Sequence, residues 1–162
     1  MGNGRKAIQS LIASVLLVVL AFPALAGDVC RDDQVTLRGD WGQARFTVEL
    51  ADDAPSRAKG LMNRDSLARS AGMLFVYPAP KRVGFWMKDT LIPLDMIFVG
   101  ADGVVSRIHE NAVPGDLTSI FGGDQVFVVL EVNAGIVESY GISVGSEMRH
   151  EVFSPETAKW SC

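Results

Sequence analysis

Two carboxylates sit where carboxylates are costly. Asp95 lies in the run Leu94-Asp95-Met96-Ile97-Phe98-Val99, and Glu131 lies in residues 125–132, a stretch apolar apart from Gln125 and Glu131 itself. An unpaired charge in such surroundings is strongly disfavoured, so the group either binds a proton or finds a partner. Enzymes use carboxyls of this kind as general acid and base, and a hydrolase built on Asp95 or Glu131 is one reading. In the other, Arg57, Arg64 or Lys88 neutralises them and fixes a helix onto a sheet.

A second chemistry is recognition. The stretch 83–95 reads VGFWMKDTLIPLD. If its first part is extended, Phe85 and Met87 share one face and Trp86 and Lys88 the other, because successive strand residues point to opposite sides. With Phe85 and Met87 in the core, an indole and an ammonium stand together outside. The indole offers a flat face to a sugar ring or another ligand, and Lys88, Arg57 and Arg64 can meet carboxylate, phosphate or hydroxyl groups. The candidate ligand-binding residues are therefore Arg57, Met62, Arg64, Trp86, Lys88 and Asp95. The competing expectation seals Trp86 in a small core beneath a helix.

Other chemistries have less to stand on. Met62, Met73, Met87, Met96, His109 and His150 are of types that bind Cu(I), but no Met-x-x-Met or His-x-His spacing occurs, so no metal and no cofactor are expected. There is no His-Glu-x-x-His or P-loop pattern, and the two cysteines lie at the ends of the 27–162 domain.

The elements that must position these residues can be read from periodicity. Residues 43–50 alternate polar and apolar, the pattern of a half-buried strand, and 34–38 pairs with it across a turn bounded by Gly39 and Gly42. Asp52-Asp53-Ala54-Pro55 opens a helix running towards Leu61-Met62, with Gly60 as its weak point. Residues 72–77 form a strand stopped by Pro78 and Pro80, and Asp102-Gly103 turns a hairpin between 96–99 and 104–109. Residues 111–123 read as a long loop able to close over a site, and 125–132 as a central strand covered on both sides. Asn133 caps a short helix over 134–140, Gly141 stops it, and 147–153 is the last strand. Seven or eight strands and two short helices without βαβ alternation predict an α+β domain with a mainly antiparallel, barrel-like sheet.

Bulk properties bound the setting. Arg5 and Lys6 precede an apolar run over 11–22, and Ala24-Leu25-Ala26 has the small-x-small form of a cleavage site, so 1–26 reads as a secretory signal peptide and 27–162 as one domain. The expected location is periplasmic or secreted, with no stable membrane insertion after cleavage, since the apolar run is shorter than the ~20 residues a spanning helix needs. Loss of Arg5 and Lys6 takes the balance to 13 basic and 19 acidic residues, −6 with His neutral. That charge argues against nucleic acid as a partner. In an oxidising compartment Cys30 and Cys162 are expected to pair, a closure worth about 4–5 kcal/mol by chain entropy.

Several of these segments together resemble one family. Gly60-Leu61-Met62 with Arg64, Gly72-Met73-Leu74-Phe75, Phe85-Trp86-Met87-Lys88 with Thr90, Pro93-Leu94-Asp95, Leu130-Glu131, and Gly141-Ile142 with Gly145 are similar in order and spacing to the domain-of-unknown-function 192 family, over about residues 46–153. The resemblance implies a compact, sheet-rich, often secreted or membrane-linked protein and supplies no activity. Asp89 stands where the family usually has Asn, and Ser146 where it often has Asp. The expectation is a non-catalytic extracytoplasmic binding module for a small molecule, a glycan or an envelope protein, with the hydrolase as alternative.

Overall fold

Gly39 and Gly42 flank Asp40-Trp41, and the alternating run that follows folds back on the one before it. β1 (Gln34–Gly39) and β2 (Gly42–Ala51) pair antiparallel with Gly39 opposite Gly42. In β2, Ala44, Phe46 and Val48 are buried while Arg45, Thr47 and Glu49 are exposed, as alternation requires. This computed structural model describes residues 29–162, and the expected leader over 1–26 lies outside them.

α1 (Ala54–Lys59) begins at a capping box: the Asp53 carboxylate accepts from the Ser56 N–H at 2.6 Å, and Ser56 Oγ accepts from the Asp53 N–H at 3.2 Å. The helix stops at Gly60 (φ 49) rather than reaching Leu61-Met62. It connects β2 to β3 (Ala71–Phe85), which lies parallel to β2. β4 (Leu94–Val99), β5 (Val105–Ala112), β6 (Ile120–Asn133), α2 (Ile136–Tyr140) and β7 (Glu147–Arg149) follow. The seven strands form one sheet in the order β5-β4-β6-β3-β2-β1-β7, antiparallel except at β2–β3.

The sheet curls until its edges approach one another. Val104, just before β5, bridges to Glu147 in β7, the Val105 N–H donates to the Ser146 carbonyl at 2.8 Å, and the Met148 N–H donates to that of Gly103 at 2.7 Å. This is the expected α+β, barrel-like architecture with two short helices. Cys30 and Cys162 form the expected disulfide, tying together residues 132 apart in sequence.

Each face of the sheet carries its own apolar layer. Phe46, Leu74, Ile97, Val128, Leu130 and Met148 pack on one side with Ile136 and Val137 of α2, while Leu61, Phe75, Met87, Met96, Phe98 and Val129 pack on the other. β6 lies between β3 and β4 and feeds both layers, as its unbroken apolar run predicts.

Four expectations about element limits are corrected. β3 continues through Pro78 and Pro80, because its partnership with β2 has ended at Phe75 and its register with β6 shifts between Val76 and Lys81, leaving no ladder bond for the prolines to break. The loop expected over 111–123 is shorter, since 111–112 belong to β5 and 120–123 to β6. Asn133 does not cap α2: its side-chain amide donates to the carbonyls of Leu67 and Ala68 at 3.0 and 3.1 Å, and Gly135 occupies the N-cap. The last strand ends at Arg149 rather than 153.

Motif glycine Gly72 answers to packing density. A Cβ built there would lie 2.5 Å from the main-chain oxygen of Glu131, so only hydrogen allows β3 and β6 to approach at this point.

Candidate functional site

The layer containing Phe75 and Met96 is not fully sealed. Where β3 passes beside α1 a cleft of about 180 Å³ opens, lined by Arg57, Gly60, Leu61, Met62, Phe75, Phe85, Trp86, Thr90 and Glu131, with Ala58 and Lys59 completing the helix side. Phe75 and Phe85 meet edge to face at 5.0 Å, which fixes one wall. Trp86, half exposed at 50%, stands at the mouth, and the Lys88 Nζ lies 5.5 Å from its ring centroid.

Glu131 reaches the cleft from the middle of the sheet. It is the cross-strand partner of both Met73 and Met96, and such partners share a face, so its carboxyl rises between two thioether side chains. It is 5% exposed, and among the described residues no donor bonds its carboxyl group. Burial pushes its pKa up to about 8, so near neutral pH the group is mostly the protonated acid, able to donate one hydrogen bond and accept another. The neighbouring Tyr77 hydroxyl is also raised, first by burial, with Arg57 opposing and Glu131 adding to the rise.

Asp95 lies elsewhere. In β4 it faces the layer opposite to Met96, pairing with Val132 rather than with Glu131, and it is fully buried. One oxygen accepts from the N–H of Asn111 at 2.9 Å, where the β4–β5 register shifts, and the other accepts from the N–H of Val137 in the first turn of α2, also at 2.9 Å. It joins a bulge to a helix start. The two carboxyls therefore form no acid–base pair, and neither is neutralised by the arginines.

Those arginines are held apart. Arg57 Nη1 donates to the carbonyls of Asp52 and Val76, the latter at 2.8 Å, and its guanidinium lies 5.3 Å from the Tyr77 ring centroid at the cleft edge. Arg64 is outside the cleft, bonded in bidentate fashion to Glu49 at 2.5 and 2.6 Å, which lowers the Glu49 pKa and raises that of Arg64. Because Glu49 is more than half exposed, R64A should lower stability by no more than about 1 kcal/mol and leave binding in the cleft unchanged, as chemical denaturation and a titration would read.

Of the sequence-predicted ligand residues, the structure thus brings together Arg57, Met62 and Trp86, sets Lys88 just outside on the indole, and places Arg64 and Asp95 away from the cleft. Reading from the sequence misses Phe75, Phe85, Leu61 and Thr90, whose apolar or hydroxyl side chains look like ordinary core. The expected lid does not cover the cleft. Its loop is pinned to the main chain of Met87, with the Met87 N–H donating to the Asp116 carbonyl at 2.8 Å and the Gly115 N–H to that of Met87 at 3.0 Å, and none of its residues lines the cleft. Three larger concavities, about 490 Å³ beside Gly39 and Gly145, about 550 Å³ beside His109 and Thr118 and about 400 Å³ beside Gly122 and Asp124, have no buried titratable side chain in their walls.

Residues 35–150, which hold every strand except the first residue of β1, match the domain-of-unknown-function 192 model, described as an uncharacterized ACR. The chain belongs to the domain-of-unknown-function 192 family. Among solved structures it is similar to a protein of unknown function from Novosphingobium aromaticivorans, with 42% identity, TM-score 0.70, and coverage of 71% of this chain and 82% of that one. It is also similar to a putative transcription regulator from Sinorhizobium meliloti, again with 42% identity and TM-score 0.70, over 75% of this chain and 96% of that one. No curated protein matches.

The domain-of-unknown-function 192 frame also makes sense of the two positions where this chain departs from the pattern. Asp89 has φ 53, a left-handed conformation that Asn and Asp tolerate better than other side chains, and its carbonyl accepts from the Asn63 N–H at 2.7 Å. Ser146 Oγ accepts from Trp41 Nε1 at 2.9 Å and from the Ser143 N–H at 3.2 Å, bonds a carboxylate oxygen would equally accept.

Proposed function

We propose that this protein is a non-catalytic, extracytoplasmic binding domain that takes a small molecule in the cleft between α1 and the end of β3. The observation that carries the reading is Glu131, a buried carboxyl with no donor of its own, opening into a cleft with aromatic walls. A carboxyl at the foot of a narrow cleft is poorly hydrated, so a ligand that pairs with it gains more than it would from one in open water. Trp86 at the mouth supplies stacking area; a glycan or an envelope protein would meet mainly this outer face and Lys88.

Binding is favoured over hydrolysis because Asp95 and Glu131 lie on opposite faces of the sheet, leaving Glu131 without a second carboxyl. Transcription regulation, the description carried by the Sinorhizobium meliloti relative, is disfavoured by the acidic balance.

Saturation-transfer NMR against a panel of hexoses, amino acids and amines tests the reading. W86A should weaken any cleft binder at least tenfold while costing less than about 1.5 kcal/mol of stability, since half the indole is already in water. Binding that survives W86A would take the indole out of the site, and a stability loss of about 3 kcal/mol or more would make Trp86 a core residue.

A further inference from the structure

The floor of the cleft offers one carboxyl, its apolar walls are Leu61, Met62, Phe75, Phe85 and Trp86, its helix side carries Arg57 and Lys59, and the Thr90 hydroxyl is engaged with the Lys88 carbonyl at 3.2 Å. A sugar ring needs several convergent polar partners for its hydroxyls, and these walls do not supply them. A single acidic group surrounded by aromatic faces suits a ligand with an apolar body and one cationic head.

The charged groups around the floor leave room for such a head. From α1, Arg57 turns its guanidinium towards main-chain carbonyls and Tyr77, and Lys59 is exposed. From β3 the facing groups are Tyr77 and the uncharged Met73, from β4 the uncharged Met96, and beyond the mouth Lys88 sits over Trp86. None of these cations bonds Glu131, so no internal partner has to be displaced.

We propose that the cleft takes a small organic cation, its ammonium or guanidinium head seated on Glu131 and its apolar body held between Phe75, Phe85 and Trp86. This rests on the binding reading above and names the ligand's chemistry. Because the free acid holds its proton up to about pH 8, a cation that binds the carboxylate must expel that proton. Affinity therefore rises about tenfold per pH unit below that point and levels off above it.

Butylguanidinium, which keeps its charge throughout, and butylurea, its uncharged isostere, are the probes for calorimetric titration between pH 6 and 9 in buffers of differing ionisation enthalpy. The expected result is a rising butylguanidinium affinity with about one proton released per ligand near pH 7, butylurea at least tenfold weaker at pH 8, and loss of both affinity and pH slope in E131Q. Thermal unfolding of E131Q confirms that the variant is folded. Equal binding of the two probes, a slope that persists in E131Q, or no binding of butylguanidinium overturns the inference. A neutral panel compound whose binding is lost in W86A would, in that event, leave the cleft standing as a binding site.

Discussion

Between pH 5 and pH 8 the unfolding free energy should fall with rising pH by up to about 1.4 kcal/mol per pH unit relative to E131Q. The sign follows from where the proton resides. In the unfolded chain Glu131 loses its proton near the ordinary carboxylate range, whereas in the fold it keeps it to about pH 8. Over the interval between, the native state holds one more proton than the unfolded state, so raising the pH favours unfolding. The stabilisation is fully present below the unfolded value and is lost as the pH climbs through the folded one. Across pH 5–8 the difference amounts to no more than about 4 kcal/mol, an upper figure because water and relaxation lessen the cost of a buried charge. Glu49, Asp33, Asp53 and Asp116 act in the opposite direction, since their lowered values make them stabilising as the pH rises, but they do so in the acid range below this window. Urea denaturation of wild type and E131Q at intervals across pH 5–8 isolates the effect, because all other titrations cancel in the difference. Parallel curves would mean that the carboxyl finds a partner or water in solution.

The second large effect concerns the other buried carboxyl. D95A should cost about 3–5 kcal/mol, because it strands two main-chain N–H groups, those of Asn111 and Val137, in the interior, each worth about 1–3 kcal/mol when left unpaired. D95N keeps one acceptor and should lose roughly half as much. Both variants should retain cleft binding in the folded fraction, since Asp95 faces the opposite layer. Equilibrium denaturation gives the magnitude, and amide exchange should show α2 opening first. A loss below about 1 kcal/mol would contradict the bridging role, and a hydrolytic activity abolished in fully folded D95N would return Asp95 to the chemistry.

The contrast between these two acids shows what was legible in the sequence. That both would be buried follows from their apolar runs; which one is satisfied does not. Asp95 is answered by a bulge amide and a helix start 16 and 42 residues away, and side-chain types carry no record of main-chain donors. Arginines are the visible cations in the sequence and so the obvious partners, yet Arg64 goes to Glu49 and Arg57 to carbonyls.

The sheet itself was more readable. Alternation in β2, the unbroken apolar run of β6 and the turns at Gly39–Gly42 and Asp102-Gly103 each express a local rule, and tertiary context did not override them. Where context intervenes, Pro78 and Pro80 do not act as stops, because the effect of a proline depends on whether a neighbouring strand still needs the missing N–H. The alternation over 85–88 put Met87 inside and Trp86 outside although the strand ends at Phe85, since the buried layer still decides which way each side chain turns.

The central claim is that a buried, unpartnered acid forms the floor of the binding cleft. Selective carbon-13 labelling of glutamate and direct observation of the Glu131 side-chain carboxyl resonance, assigned by its absence from E131Q, tests this most directly. The account predicts a titration midpoint at about 8 in the free protein. A midpoint in the ordinary glutamate range, near 4.3, would contradict it.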